Sequence, residues 1–236
     1  MTALILHADH VVTMDPANTV LSDAAVHVDA DGTIAAVGPA HRILQAHPGV
    51  PVKRLRDRLL MPGLVNTHMH SGLLRGTAEE LPVWEWLRQH IDPMHRVVTA
   101  DDARIASLLC YAEALLSGTT TVVDMWRYMH GSAQAASTLG IRAVLVPYVA
   151  EHPEHDYFET LDSNERLIQE WHGAADGRIQ VWVGLEHLFY GVPSALQRAI
   201  AIAQRYDVGE RIARDTIFLT TIGCIPVLLI VAFLLS

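Results

Sequence analysis

The 236 residues carry 17 basic and 26 acidic side chains, a net charge of −9, and half of them are hydrophobic. With no basic run, that balance argues against nucleic acid as the main partner. The length fits one large domain, or one domain with appendages.

Two cysteines, Cys110 and Cys224, form no C-x-x-C motif and no disulfide framework, which suits a reducing, cytoplasmic setting. The start, Met1-Thr2-Ala3-Leu4-Ile5-Leu6, has no basic stretch before His7, Asp9 and His10, so no signal peptide is expected there. Residues 3–37 read as β-structure, with apolar or alternating stretches at 3–6, 11–14, 24–28 and 33–37. Turn signals at Asp15-Pro16 and Asp31-Gly32 divide them. Pro39, Pro48-Gly49 and Pro51 mark a linker.

From residue 60 strands and helices take turns. Leu60–Asn66 is strand-like, Trp84–His90 and Ala103–Leu116 are helical, and Thr119–Val123 is a β-branched strand after Gly118. Ser132–Leu139 is helical and ends at Gly140, a natural residue just past a helix C-terminus. Ile141–Val146 is a strand, Asn164–Trp171 a helix, Ile179–Val183 a strand and Ser194–Tyr206 a helix. Four β/α repeats point to a parallel sheet with covering helices, either half of an eightfold barrel or an open α/β sheet.

After Tyr206 the character changes. Glu210-Arg211-Ile212-Ala213-Arg214-Asp215 is charged, and Thr216 to Leu235 then runs without a charge. At about 1.5 Å per residue such a helix covers the roughly 30 Å hydrocarbon core of a bilayer. The reading is a transmembrane helix over 216–235; a buried pair of strands is the alternative, since Ile, Val and Thr abound. Pro226 sits badly in a central strand and is tolerated in a membrane helix. Arg211 and Arg214 would keep the main domain cytoplasmic, anchored by its C-terminal helix. The expected organisation is thus a β-portion at 1–57, an α/β part at 58–207, and a charged junction with the transmembrane-like helix at 208–236.

The chemistry centres on Met61-Pro62-Gly63-Leu64-Val65-Asn66-Thr67-His68-Met69-His70. Side chains alternate faces along a strand, so His68 and His70, at i and i+2, point the same way. Two converging imidazoles can share a metal ion, and neutral imidazole suits zinc, iron, copper or nickel. Fourteen histidines are present, so abundance alone supports no metal site. In parallel α/β architectures the site lies at the C-terminal rim of the strands. Asp124 lies on that rim, where it faces the site, orients a ligand or caps the next segment. His187 and Glu186, in Gly184-Leu185-Glu186-His187-Leu188, follow the fourth strand and could meet substrate or move a proton. Trp84 and Trp86 either wall an apolar pocket or pack their helix.

The segments PGLVNTHMH (62–70), LLRGTAEELPVWEWL (73–87), SGTTTVVDM (117–125), LGIRAVL (139–145) and GLEHLFY (184–190) resemble the amidohydrolase superfamily. The resemblance covers about residues 1–207 and is nearest to the deaminase/chlorohydrolase branch, which includes S-adenosylhomocysteine and methylthioadenosine deaminases and triazine hydrolases. It implies a (β/α)₈ TIM barrel, here its N-terminal part of about four units, preceded by a share of a small β-sandwich. It implies a divalent metal, zinc before iron, with His68 and His70 as its first two ligands and His187 as a substrate contact. The implied reaction is hydrolysis at a carbon–nitrogen bond, or loss of chloride, on a small nitrogen heterocycle. His95 stands where nucleoside deaminases of the branch carry a ribose-binding glutamate, which speaks against an adenosine-type substrate. It remains a substrate-side residue with Trp86.

No histidine follows His187, and the later acidic residues are Asp207, Glu210 and Asp215. The family's third metal histidine, its proton-shuttling residues and its last metal aspartate have no match here, so no catalytic acid or base is assigned. The alternative expectation is therefore a non-catalytic truncated or fused remnant, or a membrane-tethered half-barrel that associates, as a homo-oligomer, through exposed sheet edges.

Overall fold

The computed structural model of the protein describes residues 2–72, 80–152, 156–185 and 193–208. They form two compact units that divide after Gly63.

The first unit is a four-stranded sheet of β1 (Leu4–Val12), β2 (Val20–Val28), β3 (Ile34–Pro39) and β4 (Val52–Leu60), in the order β3-β2-β1-β4. β1 pairs antiparallel with β2 and parallel with β4, and β3 lies antiparallel on β2. Asp15 holds the turn between β1 and β2 by accepting from the Thr19 amide at 2.9 Å and the Thr19 hydroxyl at 2.7 Å. The stretch read as a linker contains a helix, α1 (Ala40–Ala46). Pro39 precedes it with φ already near the helical value, and Ala40 and Ile43 then bury against Ile5 and Ala25. β4 runs on to Leu60, beside β1, so the observed division falls after Gly63 rather than after residue 57. Among the described residues β4 is an edge strand, and its exposed Lys53, Arg54, Arg56 and Arg58 put charge there, where charge discourages further pairing.

The second unit begins with β5 (Leu64–Met69). Pro62, which lacks an N–H, stands before it, so the strand read from Leu60 starts four residues later. The helical stretch around Trp84–Trp86 is longer than its sequence pattern: α2 (Val83–Trp86) continues through a π turn at Leu87–Ile91 into α3 (Asp92–Val97). Next come α4 (Ala100–Leu116), β6 (Thr119–Trp126), α5 (Met129–Leu139), β7 (Arg142–Pro147), α6 (Leu161–Trp171), β8 (Ile179–Val181) and α7 (Pro193–Tyr206). α4 starts three residues early because Thr99 and Asp102 make a reciprocal capping box. α5 ends as expected at Gly140, whose φ of 78° is the left-handed conformation that a side chain disfavours.

The strands lie parallel in the order β5-β6-β7-β8. This sequential order is that of a singly wound sheet, without the reversal that marks a doubly wound one. Helices α4 to α7 pack neighbour on neighbour as a layer against it. Val122, Trp126, Ala143, Leu145, Ile179 and Val181 are buried in one core with Ala133, Leu167, Ile168 and Ile202 of the helices. Side chains on the other face, such as Val123, Val144 and Val146, are only half-buried.

Among the described residues β5 has a hydrogen-bonded neighbour on one side alone, and its Leu64 and Val65 are more than half exposed. Among the described residues no helix is long and apolar enough to cross a membrane. The run 216–235 lies outside the described residues, as do Glu186, His187 and Cys224.

Candidate metal centre and cleft

β5 delivers the histidine pair as its alternation predicts. Met69 turns into the core, while His68 and His70 share the other direction and bring their Nε2 atoms to 3.0 Å. Two zinc–imidazole bonds of roughly 2.0–2.1 Å span such a gap. The Nδ1 of His70 lies 2.8 Å from the Met125 carbonyl oxygen, which can only accept. Nδ1 therefore carries the proton and Nε2 keeps its lone pair, the tautomer a metal ligand needs. The Tyr148 hydroxyl sits 2.9 Å from the same Nδ1.

Asp124 does not face this pair. It is wholly buried on the helix side of β6 and accepts from the Ser71 amide at 2.9 Å, the Ser71 hydroxyl and the Tyr111 hydroxyl at 2.5 Å. Burial pushes its carboxyl above the ordinary range, against the pull of those three hydrogen bonds. Burial, with the Asp124 carboxylate beside it, pushes the Tyr111 hydroxyl well up. Among the described residues no cluster of three or more His, Cys, Asp or Glu side chains could hold a metal. The histidine pair is a candidate for two ligands.

Above the pair opens a cleft of about 670 Å³. One wall is the continuous helical face of Trp84, Leu87, Ile91 and His95, with Trp86 beside them; Met125, Trp126, Tyr148, Tyr157 and Phe158 complete it. Trp86 both lines the cleft and packs on the core. The rim aromatics Tyr148, Tyr157 and Phe158 were not picked out by the sequence reading. The one available signal was that Tyr148 directly follows the strand ending at Pro147.

His95 is 3% exposed, stacks on Trp126 at 4.6 Å between ring centres and faces Tyr157 at 5.5 Å. Among the described residues its Nδ1 has no hydrogen-bond partner. Burial, reinforced by Arg127 and His70 nearby, lowers the imidazole to about 4, so at neutral pH it is an uncharged ring. Between pH 6.5 and 4 the unfolded chain binds a proton that folded His95 refuses, so stability falls as pH falls. The expected loss from pH 7 to pH 4.5 is on the order of 2–3 kcal/mol. His95→Phe, which keeps the stack, should flatten that part of the curve in urea unfolding at the two pH values. Equal pH slopes in both proteins would refute the assignment.

The amidohydrolase family model matches residues 59–211, well over half the chain. A 5-methylthioadenosine/S-adenosylhomocysteine deaminase of Nitratidesulfovibrio vulgaris is 35% identical over 210 residues, 87% of this chain and 47% of the relative. This chain belongs to the amidohydrolase family.

A 5'-deoxyadenosine deaminase of Methanosarcina barkeri is 36% identical over 78% of this amidohydrolase chain and 42% of its own length. In three dimensions the chain resembles a zinc-bound adenosine deaminase from Xanthomonas campestris, with a TM-score of 0.73 and 27% identity over 88% of this chain and 48% of that one. It shares its fold with a zinc-complexed atrazine chlorohydrolase from Arthrobacter aurescens, with a TM-score of 0.73 and 22% identity over 86% and 51% of the two chains. The chain spans about half the length of the curated relatives it matches.

Proposed function

We propose that this chain carries the substrate cleft and two metal ligands of a hydrolase acting on a carbon–nitrogen bond, or on a chlorine substituent, of a small nitrogen heterocycle. The observation that carries the reading is the 3.0 Å convergence of the His68 and His70 Nε2 atoms at the base of an aromatic cleft. His68 and His70 would hold a divalent ion, zinc before iron, since relatives of this fold have been seen with zinc. When bound, such an ion supplies Lewis-acid activation of water at neutral pH. The Met125 carbonyl keeps the His70 ring in its ligating tautomer. Trp84, Trp86, Tyr148 and Tyr157 line the cleft and are the side chains that would stack on a planar ring. Uncharged His95 lacks the carboxylate that would receive two sugar hydroxyls, which disfavours a riboside. His187 is proposed as a further substrate contact. The sequential strand order fits four of the eight strands of a barrel.

Catalytic zinc sites ordinarily use three protein ligands, and two converge here. Turnover by this chain alone is therefore expected to stay near background. The test is zinc titration of the chain, followed by assay with zinc or iron against S-adenosylhomocysteine, guanine and atrazine. His68→Ala and His70→Ala should each weaken zinc by tenfold or more. Zinc binding indifferent to both substitutions would overturn the site. Robust turnover lost in His68→Ala would overturn the two-ligand reading.

A second reading is association. The open β5 edge, with Leu64 and Val65 exposed and Leu109 and Leu116 of α4 exposed as well, favours pairing of two copies along this strand. The uncharged run 216–235 supports attachment of a cytoplasmic main domain to a membrane. Light scattering of the chain in detergent should show a dimer that Val65→Lys disperses. A monomer at every concentration would count against it.

A further inference from the structure

The backbone ladder between β5 and β6 ends between the two histidines. Its register shifts after Asn66, and its last partners are Met69 and Asp124. Beyond that point two consecutive residues of β6 hold two consecutive residues of the β5 end by other means. The Met125 carbonyl takes the His70 Nδ1–H, and the Asp124 carboxylate takes the Ser71 amide and hydroxyl. We propose that Asp124 is a positioning residue for His70, clamping Ser71 so that the His70 ring stays on the Met125 carbonyl with Nε2 turned to the ion. The proposal rests on the reading of His70 as a metal ligand.

The surroundings of Asp124 fit a clamp better than a filler. A carboxylate shut off from water is costly unless its oxygens are fully hydrogen-bonded, and an apolar residue would fill the space more cheaply. Here Oδ1 accepts the Ser71 amide, and Oδ2 accepts the hydroxyls of Ser71 and Tyr111. A carboxylate only accepts, which sets the direction of the buried chain behind it. The Ser71 hydroxyl donates to Asp124, so its oxygen receives the Ser107 hydroxyl at 2.8 Å. The Ser107 oxygen in turn receives the Ser132 hydroxyl at 2.9 Å. Ser107 and Tyr111 lie on α4 and Ser132 on α5. The residue next to His70 is thus tied to two helices of the layer, and Asp124 joins the branches from Ser71 and Tyr111.

The test uses the full chain with Asp124→Ala and the isosteric Asp124→Asn, and two readouts. Two-bond ¹⁵N–¹H correlations of the His70 ring, taken without metal, report its tautomer; zinc titration reports the site. The wild type should show the Nδ1–H tautomer. Both variants should populate the other tautomer as well, and zinc affinity should fall by roughly 10- to 100-fold in Asp124→Ala and by less in Asp124→Asn. In a His70→Ala background Asp124→Asn should change zinc affinity no further. A folded Asp124→Asn with the wild-type tautomer and wild-type zinc affinity would overturn the proposal, even with a lowered melting temperature. If the wild type binds no zinc, the metal reading fails, and the tautomer alone still decides whether the clamp exists.

Discussion

Trp126→Ala is expected to cost about 3–5 kcal/mol of stability, the range for removing a large buried aromatic side chain. Trp126 ends β6, is 2% exposed and belongs to the main core of the second unit. Its indole stacks on His95 and lies within ring-contact range of His70 and Tyr148, at 6.2 and 5.6 Å. Nor can the backbone close the gap by small adjustments on every side. A Cβ at Gly72 would already meet the indole at 1.9 Å, so the β5 end is built against this ring. The loss therefore reaches the cleft as well as stability, because one of its lining residues and a neighbour of His70 go together. Urea unfolding of the chain should show the drop, and Trp126→Phe should recover part of it. A Trp126→Ala protein within 1 kcal/mol of wild type would show that this ring is not the core element described.

Gly184→Ala should cost about 3 kcal/mol or more, although it adds a single methyl group. The added Cβ would stand 1.9 Å from the Pro147 carbonyl oxygen and 3.0 Å from its carbon. The obstacle is backbone at the end of β7, which has no rotamer to escape into. Gly184 is fixed from its other side too. Its amide donates to Asn164 Oδ1 at 2.9 Å, and Asn164 Nδ2 donates to the Trp182 carbonyl at 3.1 Å. Relief must come from moving the chain after β8, which leads toward His187. The melting temperature should drop by roughly 6–12 °C for a unit of this size. An unchanged melting temperature would mean that the approach of Gly184 to Pro147 is not real.

Much of the second unit was legible because local pattern and tertiary role agree there. The β-branched run Thr119–Val123 has to be a strand, and Gly140 has to end a helix. The pair His68 and His70 was legible for the same reason, since strand alternation alone puts them on one side. The misses have physical causes. α1 lies between prolines that read as a linker, and its helix is secured by burying Ile43 against Ile5, a contact that leaves no local trace. β4 carries Lys53, Arg54, Arg56, Asp57 and Arg58, which erase the apolar alternation of a strand. Asp124, expected at the end of its strand, lies two residues inside β6, and its direction depends on Ser71 and Tyr111, 53 and 13 residues away. Such partners are invisible to any window of neighbouring residues. The aromatic cleft is a meeting of α2, α3, β6 and the segment after β7, so only Trp84, Trp86 and His95 could be named beforehand.

The central claim is that His68 and His70 form one half of a metal site. X-ray absorption of the zinc-loaded chain at the zinc edge tests it most directly. The expected spectrum shows two imidazoles at roughly 2.0–2.1 Å, with oxygen in the remaining positions, and loses one imidazole in His68→Ala. A spectrum with no imidazole scattering, or with three or more imidazoles in the wild type, would contradict it.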